Sequence, residues 1–69
     1  MERVQVSSSN VESVGFDEDS ETLEVEFKNG TLYQYFDVPK NVYEGLVGAD
    51  SVGGYLAANI KGVYRYSRA

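Results

Sequence analysis

The sequence predicts a small α+β domain, in which a three-stranded antiparallel β-meander is followed by two short helices on one face. Three observations lead to this fold class. Residues 23–27 alternate apolar and acidic side chains, which is the period of a half-buried strand. Asn29-Gly30 comes next as a tight turn, because both residues accept positive φ at low cost. Pro39 then opens a segment whose apolar residues recur at helical spacing.

The first strand is predicted over Val11–Phe16. Val4 and Val6 alternate with polar residues ahead of it and are suited to a sheet edge. The acidic residues 17–21 are too highly charged for a core, so they are expected to form the exposed turn into the second strand.

The tight turn leaves two registers open for the hairpin. A two-residue loop pairs Phe27 with Leu32, whereas a three-residue loop that ends in a Gly30 bulge pairs Phe27 with Thr31. A slip of one residue exchanges the two faces of a strand. The bulged register is favoured, because it gathers the apolar and aromatic residues on one face. The polar residues are then expected to face water: Glu24, Glu26 and Gln34.

Two short helices follow, the first over Pro39–Val47 and the second over Val52–Lys61. Asp50 or Ser51 is suited to cap the second helix. Gly53-Gly54 costs that helix about 1 kcal/mol per glycine relative to alanine, which indicates close packing at its start. Residues 63–66 alternate again and form either a short final strand or an extended tail. The expected core is a single cluster of apolar residues: Leu23, Val25, Phe27, Tyr35, Val42, Leu46, Tyr55, Leu56 and Ile60.

Composition limits the chemistry that this chain can perform. Its 69 residues are enough for one domain, residues 1–69, with a small core. The chain has neither Cys nor His, which excludes disulfides, thiolate or imidazole metal ligands and His-based catalysis. The alternating acids of residues 17–21 do not form a calcium loop, because Thr22 and Lys28 stand where that loop needs Gly and Glu. No metal or cofactor is expected.

No apolar run approaches the length of about 20 residues that spans a membrane, and the first ten residues do not resemble a signal peptide. The expected location is the cytoplasm, without a membrane partner. The formal net charge is −5, and residues 61–69 contain basic residues but no acidic one. The acidic excess argues against tight, nonspecific binding to nucleic acid, because such binding requires neutralisation of phosphates.

The basic C-terminal segment interleaves cations and aromatic rings, as a nucleic-acid contact does. Its candidate residues are Lys61, Tyr64, Arg65, Tyr66 and Arg68. Three cations give a weak, salt-sensitive site. The alternative is a solvated segment whose cations stabilise the end of the second helix.

Several short motifs follow one another in order: Ser8-Ser9-Asn10, Gly15-Phe16-Asp17, Leu23–Phe27, Tyr33-Gln34-Tyr35, Val38-Pro39, Val42-Tyr43, Ser51-x-Gly53-x-Tyr55, Asn59-Ile60-Lys61 and Tyr64. In this order they resemble the KTSC domain, a short family of unknown function that also occurs at the C-terminus of some lysyl-tRNA synthetases. The resemblance covers residues 6–66, although Leu56-Ala57 stands where the family has Phe-Asn. It implies RNA as the ligand class and a set of motif positions: Tyr33, Tyr35, Ser51, Gly53, Tyr55 and Asn59.

Tyr33 and Tyr35 have two interpretations. They either form a platform on which bases stack, or they pack under the helices with their hydroxyls at the rim. The leading functional hypothesis is a noncatalytic binding module for nucleic acid, with RNA as ligand. The alternative is a protein-interaction or self-associating module whose acidic surface selects a basic partner. An enzyme is not expected, and the nearest candidate group is a convergence of Asp50, Ser51 and Asn59.

Overall fold

A computed structural model describes residues 1–69, and it contains five strands and two helices. In chain order the elements are β1 (Arg3–Gln5), β2 (Val11–Asp17), β3 (Thr22–Phe27), β4 (Leu32–Tyr35), α1 (Lys40–Val47), α2 (Val52–Asn59) and β5 (Tyr66–Arg68). The strands form one antiparallel sheet in the order β1-β2-β3-β4-β5. The predicted α+β class and its central meander are confirmed, with a short strand at each edge. The alternating residues 63–66 do not form the final strand, because β5 begins only at Tyr66 and continues to Arg68.

The helices connect β4 to β5, so the chain crosses one face of the sheet before it returns to pair with β4. Both helices have eight residues, and neither is long and apolar enough to cross a membrane. Ser51 caps α2, because its Oγ accepts a hydrogen bond from the Gly54 amide at 3.1 Å. The second helix ends at Asn59, before the predicted Lys61, which places Lys61 in the turn that follows α2.

The hairpin of β3 and β4 adopts the bulged register. The Phe27 amide donates to the Thr31 carbonyl at 2.8 Å, and the Gly30 amide donates to the Phe27 carbonyl at 2.9 Å. Gly30 has a φ of +90°, a conformation that side chains disfavour. Val25 therefore lies opposite Tyr33, and the preferred register is confirmed.

A β-bulge in β2 allows two valines of this strand to face the core together. The pairing of β2 with β3 shifts between Val11 and Ser13, so Glu12 is an extra residue in this strand. Without the bulge, Val11 and Val14 would point to opposite faces, because side chains alternate along a strand. With it, both valines are fully buried.

Ten buried apolar residues form the core: Val11, Val14, Leu23, Val25, Tyr35, Val38, Leu46, Val52, Leu56 and Ile60. The prediction was wrong for Phe27, Val42 and Tyr55, which are half-buried at the margin of this cluster. Phe27 ends β3 next to the hairpin loop, and Val42 lies in the first turn of α1. The ring of Tyr55 packs in the space that Gly45 of α1 leaves free.

The outer face of the sheet carries a network of charged and polar side chains. Arg3 on β1 reaches across β2 and donates to Glu24 (Nε–Oε1 2.9 Å) and to Glu26 (Nη1–Oε1 3.1 Å). Gln34 Nε2 donates to Glu24 Oε2 at 3.0 Å. The expectation that these residues simply face water was wrong, because all three are half-buried and Arg3 lies across the two glutamates. The hydrogen bond from Gln34 and the charge of Arg3 hold the pKa of Glu24 below its ordinary value.

The core assignment can be checked with a pair of substitutions near the end of the chain. Ile60→Ala removes a fully buried side chain and should destabilise the domain by about 2–5 kcal/mol. Val63→Ala removes a side chain that is 63% exposed and should change the free energy of unfolding by less than about 0.5 kcal/mol. Urea unfolding monitored by circular dichroism measures both values, and equal losses would contradict the described core.

The Glu24 network predicts a pH dependence of stability. Because the folded-state pKa of Glu24 is lowered, its contribution is complete above the ordinary glutamate pKa of about 4.3 and is lost as pH falls through the lowered value. Glu24→Gln should therefore lower Tm at pH 7 by about 4–8 °C, the effect of roughly 1 kcal/mol, and this difference should shrink below about pH 4. Glu44→Gln, at an exposed position on α1, is the control. A Glu24→Gln deficit that persists undiminished at pH 3 would reject the ionic network as its cause.

Candidate nucleic-acid interface

Four aromatic rings lie side by side on the sheet face that the helices cover. Tyr33 on β4 is at their centre, with ring centroids 5.6 Å from Phe27, 6.4 Å from Tyr35 and 5.6 Å from Tyr66. The bulged hairpin puts Phe27, Tyr33 and Tyr35 on one face, and the pairing of Tyr35 with Tyr66 adds the ring from β5. This aromatic cluster continues from the core to the surface of the domain.

Exposure increases along the cluster from Tyr35 to Tyr66. Tyr35 is 2% exposed, Tyr33 is half-buried and Tyr66 is 62% exposed. Burial is the main cause of the raised pKa of Tyr35. Tyr35 is therefore a core residue, as the packing interpretation expects, whereas Tyr33 reaches the surface.

Lys61 reaches the cluster from the turn after α2. Its Nζ lies over the ring of Phe27, 5.3 Å from the centroid, at cation–π distance. On one side of Lys61 is a pocket of about 390 Å³, here called the tyrosine pocket, lined by Tyr33, Tyr35, Lys61, Gly62 and Tyr66. A planar group in this pocket would meet aromatic rings and one ammonium group.

A second pocket lies on the other side of Lys61, next to the hairpin loop. This hairpin pocket of about 370 Å³ is lined by Ser9, Asn10, Phe27, Lys28, Asn29 and Lys61. A smaller hollow lies between the two pockets. It shares Tyr33 and Lys61 with the tyrosine pocket, and it shares Phe27, Asn29 and Lys61 with the hairpin pocket. The three hollows together form one open groove, here called the aromatic groove.

The structure brings together some of the predicted tail residues and separates others. Lys61 and Tyr66 line the groove, and Arg68 is paired with Tyr33 across β4 and β5. Arg65 turns away, because its Nη2 forms an ion pair with Asp37 at 2.8 Å and its guanidinium lies over Phe36. Tyr64 is half-buried against the core.

Seven residues that line the groove were not among the sequence-derived candidates: Ser9, Asn10, Phe27, Lys28, Asn29, Thr31 and Gly62. Phe27 was assigned to the core because its strand alternates regularly. Asn29 was treated only as a turn residue. No local sequence pattern places these residues at the site, because Lys28 and Lys61 meet only when the end of α2 packs beside the hairpin.

The other motif residues have structural roles. Ser51 caps α2, and Gly53 allows the start of α2 to approach the loop before β2, where a Cβ would lie 2.8 Å from Asn10 Oδ1. Tyr55 packs against Gly45 between the helices. Asn59 Nδ2 donates to the Tyr55 carbonyl at 3.3 Å within α2.

A polar pocket of about 370 Å³ lies at the start of α2, between residues 7–10 and 50–54. Asp50 and Ser51 line it, but Asn59 is at the opposite end of the helix. The expected convergence of these three residues was therefore wrong, because a helix of eight residues separates its ends by about 10 Å. Asp50 is the charged side chain of this pocket, which disfavours an anion there.

The comparisons with known proteins agree with this architecture. The family model of the KTSC domain matches residues 7–64. An uncharacterized protein of Stutzerimonas stutzeri is 44% identical over 69 residues, which cover 99% of this chain and 97% of that protein. A lysine–tRNA ligase of a Nostoc species is 37% identical over 60 residues, which cover 87% of this chain but only 11% of the ligase.

A solved structure shares the whole fold. The crystal structure of a KTSC domain protein from Yersinia pestis superposes with a TM-score of 0.93 at 35% sequence identity, and the match covers 99% of this chain and 96% of that one. The sequence match and the shared fold lead to one conclusion: this chain belongs to the KTSC domain family.

Proposed function

We propose that this domain is a noncatalytic module that binds single-stranded RNA weakly through the aromatic groove. The observation that supports this function is the distribution of paired and unpaired cations. Arg3, Lys40 and Arg65 form the ion pairs of the structure. Of the three remaining cations, Lys28 and Lys61 line the groove, and Arg68 is paired with Tyr33 on the neighbouring strand.

Unpaired cations beside accessible rings suit a nucleic-acid strand. Bases stack on aromatic rings whatever their sequence, and Tyr66 and Tyr33 offer such rings at the tyrosine pocket. The phosphates of the same strand would contact Lys28, Lys61 and Arg68. Because the domain is acidic overall, binding depends on this local group of cations and not on net charge.

The relatives also favour RNA as the ligand class. Three matching proteins are lysine–tRNA ligases, and the matched segment is a small part of each. The name of these enzymes refers to an RNA, the tRNA. The absence of Cys and His from the chain agrees with a noncatalytic role. An RNA ligand also agrees with the cytoplasmic location expected from the sequence.

Substitution of the unpaired cations tests the site. Lys61→Gln and Arg68→Gln should each weaken binding to a short single-stranded RNA, because each removes one phosphate contact. For three contacts the slope of log affinity against log salt is about −2, and each substitution should reduce its magnitude by about 0.7. NMR titration at several salt concentrations measures affinity, slope and location together.

Two variants serve as matched controls, because they remove the same charge from paired cations. Lys40→Gln removes the partner of Glu18, and Arg65→Gln removes the partner of Asp37. Both should leave the salt slope nearly unchanged. An equal loss in all four variants would mean that RNA responds to net charge alone, and the groove would be rejected as the site.

The stacking contribution can be tested at the exposed ring. Tyr66→Ala should weaken RNA binding by about 1–3 kcal/mol, because a base loses its aromatic partner. Tyr66→Phe keeps the ring and should bind nearly as well as the original chain. Fluorescence anisotropy with a labelled oligonucleotide measures both, and similar affinities for the two variants would rule out stacking at this position.

The alternative function is docking of a protein partner or of a second copy of the chain. The outer edge of β5 favours it, because this strand is exposed throughout and pairs only with β4. Unpaired edge strands are templates for strand addition. Sedimentation that shows a concentration-dependent dimer, together with no RNA binding at low salt, would favour this alternative.

A further inference from the structure

The hairpin pocket differs from the tyrosine pocket in its hydrogen-bonding groups. We propose that it selects among RNA bases and favours uracil and guanine, which carry a carbonyl oxygen at C4 or C6, over cytosine and adenine, which carry an amino group at that position. This inference rests on the proposed function, because it assigns a base preference to the same groove. It follows from which atoms of the lining side chains are already engaged within the protein.

Asn29 presents a donor to this pocket. Its Oδ1 accepts a hydrogen bond from the backbone amide of Thr31 at 2.9 Å. A backbone N–H can only donate, so the atom that it contacts must be the side-chain oxygen. The amino group of Asn29 is therefore the free end, and no side-chain hydrogen bond within the protein uses it.

Asn10 is oriented in the same way by its neighbours. The Ser8 hydroxyl oxygen accepts hydrogen bonds from two backbone N–H groups, that of Asn10 at 3.4 Å and that of Val11 at 3.3 Å. Its hydrogen is then available for Asn10 Oδ1, which lies 3.1 Å away. The amino group of Asn10 is again the end without an internal partner.

The remaining polar groups of the hairpin pocket strengthen this bias. Lys28 and Lys61 can only donate, and no carboxylate lines the pocket. The Ser9 hydroxyl can either donate or accept. A ligand in this pocket therefore meets an excess of donors, and the groups that satisfy them are carbonyl or phosphate oxygens.

The bases differ at the atoms that such donors would contact. Uracil and guanine carry an oxygen at the position where cytosine and adenine carry an amino group. An amino group that faces the amino groups of Asn10 and Asn29 forms no hydrogen bond and leaves donors unsatisfied. One hydrogen bond contributes a net 0.5–1.5 kcal/mol, so the expected preference is roughly threefold to tenfold.

Phe27 provides the stacking surface in this pocket. The Lys61 ammonium covers this ring. A base that stacks on Phe27 takes the place of this ammonium, which is then free to contact a phosphate of the same strand. Stacking and phosphate contact are thus coupled through one side chain.

The test compares two RNA oligonucleotides of equal length, oligo(U) and oligo(C), at low salt. Both are pyrimidines of similar size with a carbonyl oxygen at C2, so they differ at C4, where uracil has an oxygen and cytosine an amino group, and at N3, which carries a hydrogen only in uracil. The original chain should bind oligo(U) roughly three to ten times more tightly. Asn29→Asp retains an oxygen for the Thr31 amide but replaces the donor with an acceptor, so it should abolish this preference or move it toward oligo(C).

Asn41→Asp is the matched control, because it adds the same charge at an exposed position on α1 and should keep the preference. Circular dichroism verifies that each variant is folded, and Asn10→Asp provides a second variant if Asn29→Asp is not. Equal affinities for the two RNAs in the original chain would overturn this inference while RNA binding itself remained. An unchanged preference in both pocket variants would overturn it as well. Absence of binding to either RNA would overturn the proposed function and this inference together.

Discussion

The length of the hairpin loop, three residues, controls the arrangement of the whole domain. This length sets the register of β4 against β3, and the register decides which side chains face the helices. A loop shorter by one residue would move Tyr33 and Tyr35 to the outer face, beside Glu24 and Glu26. Such a slip would remove Tyr35 from the core, and the residues that line the aromatic groove would no longer lie on one face. The positive φ of Gly30 is therefore required both for the stability of the domain and for the aromatic groove.

The groove depends in turn on two long-range placements. The turn after α2 brings Lys61 to the ring of Phe27, and the return of the chain to the edge of β4 adds Tyr66. Tyr33 lies between these contributions and contacts both aromatic neighbours. Because three separate segments meet at this site, its geometry is coupled to the packing of the helices on the sheet. The site is therefore a property of the whole domain and not of the basic C-terminal segment alone.

Local sequence patterns predicted the parts of the structure that local physics determines. The alternation in β3, the Asn29-Gly30 turn and the proline before α1 were sufficient for the fold class. The register of the hairpin needed a further argument, which was that the bulged loop gathers the apolar and aromatic residues on one face. The periodicity of one strand does not reveal which other segments cross it. The bulge at Glu12 and the approach of Arg3 to the glutamates of β3 were therefore not predicted.

The same limit applies to the candidate site. The C-terminal segment was predicted as one group, because its cations and rings are close in sequence. In the sheet, neighbouring residues alternate between faces, so Tyr66 and Arg68 share the face of Tyr33 while Arg65 pairs with Asp37 elsewhere. Lys28 is separated from Lys61 by more than thirty residues, and only the packing of α2 beside the hairpin brings them to one pocket.

The order of the strands also determines how this domain can be joined to other molecules. β1 and β5 occupy opposite edges of the sheet, and four strand spacings separate them by about 19 Å. The β5 edge borders the aromatic groove, whereas the β1 edge is on the far side. A tether, a fluorophore or a fused protein attached ahead of β1 leaves the groove open to solvent. The same attachment after β5 would lie beside Arg68 and would compete with a ligand that enters the groove.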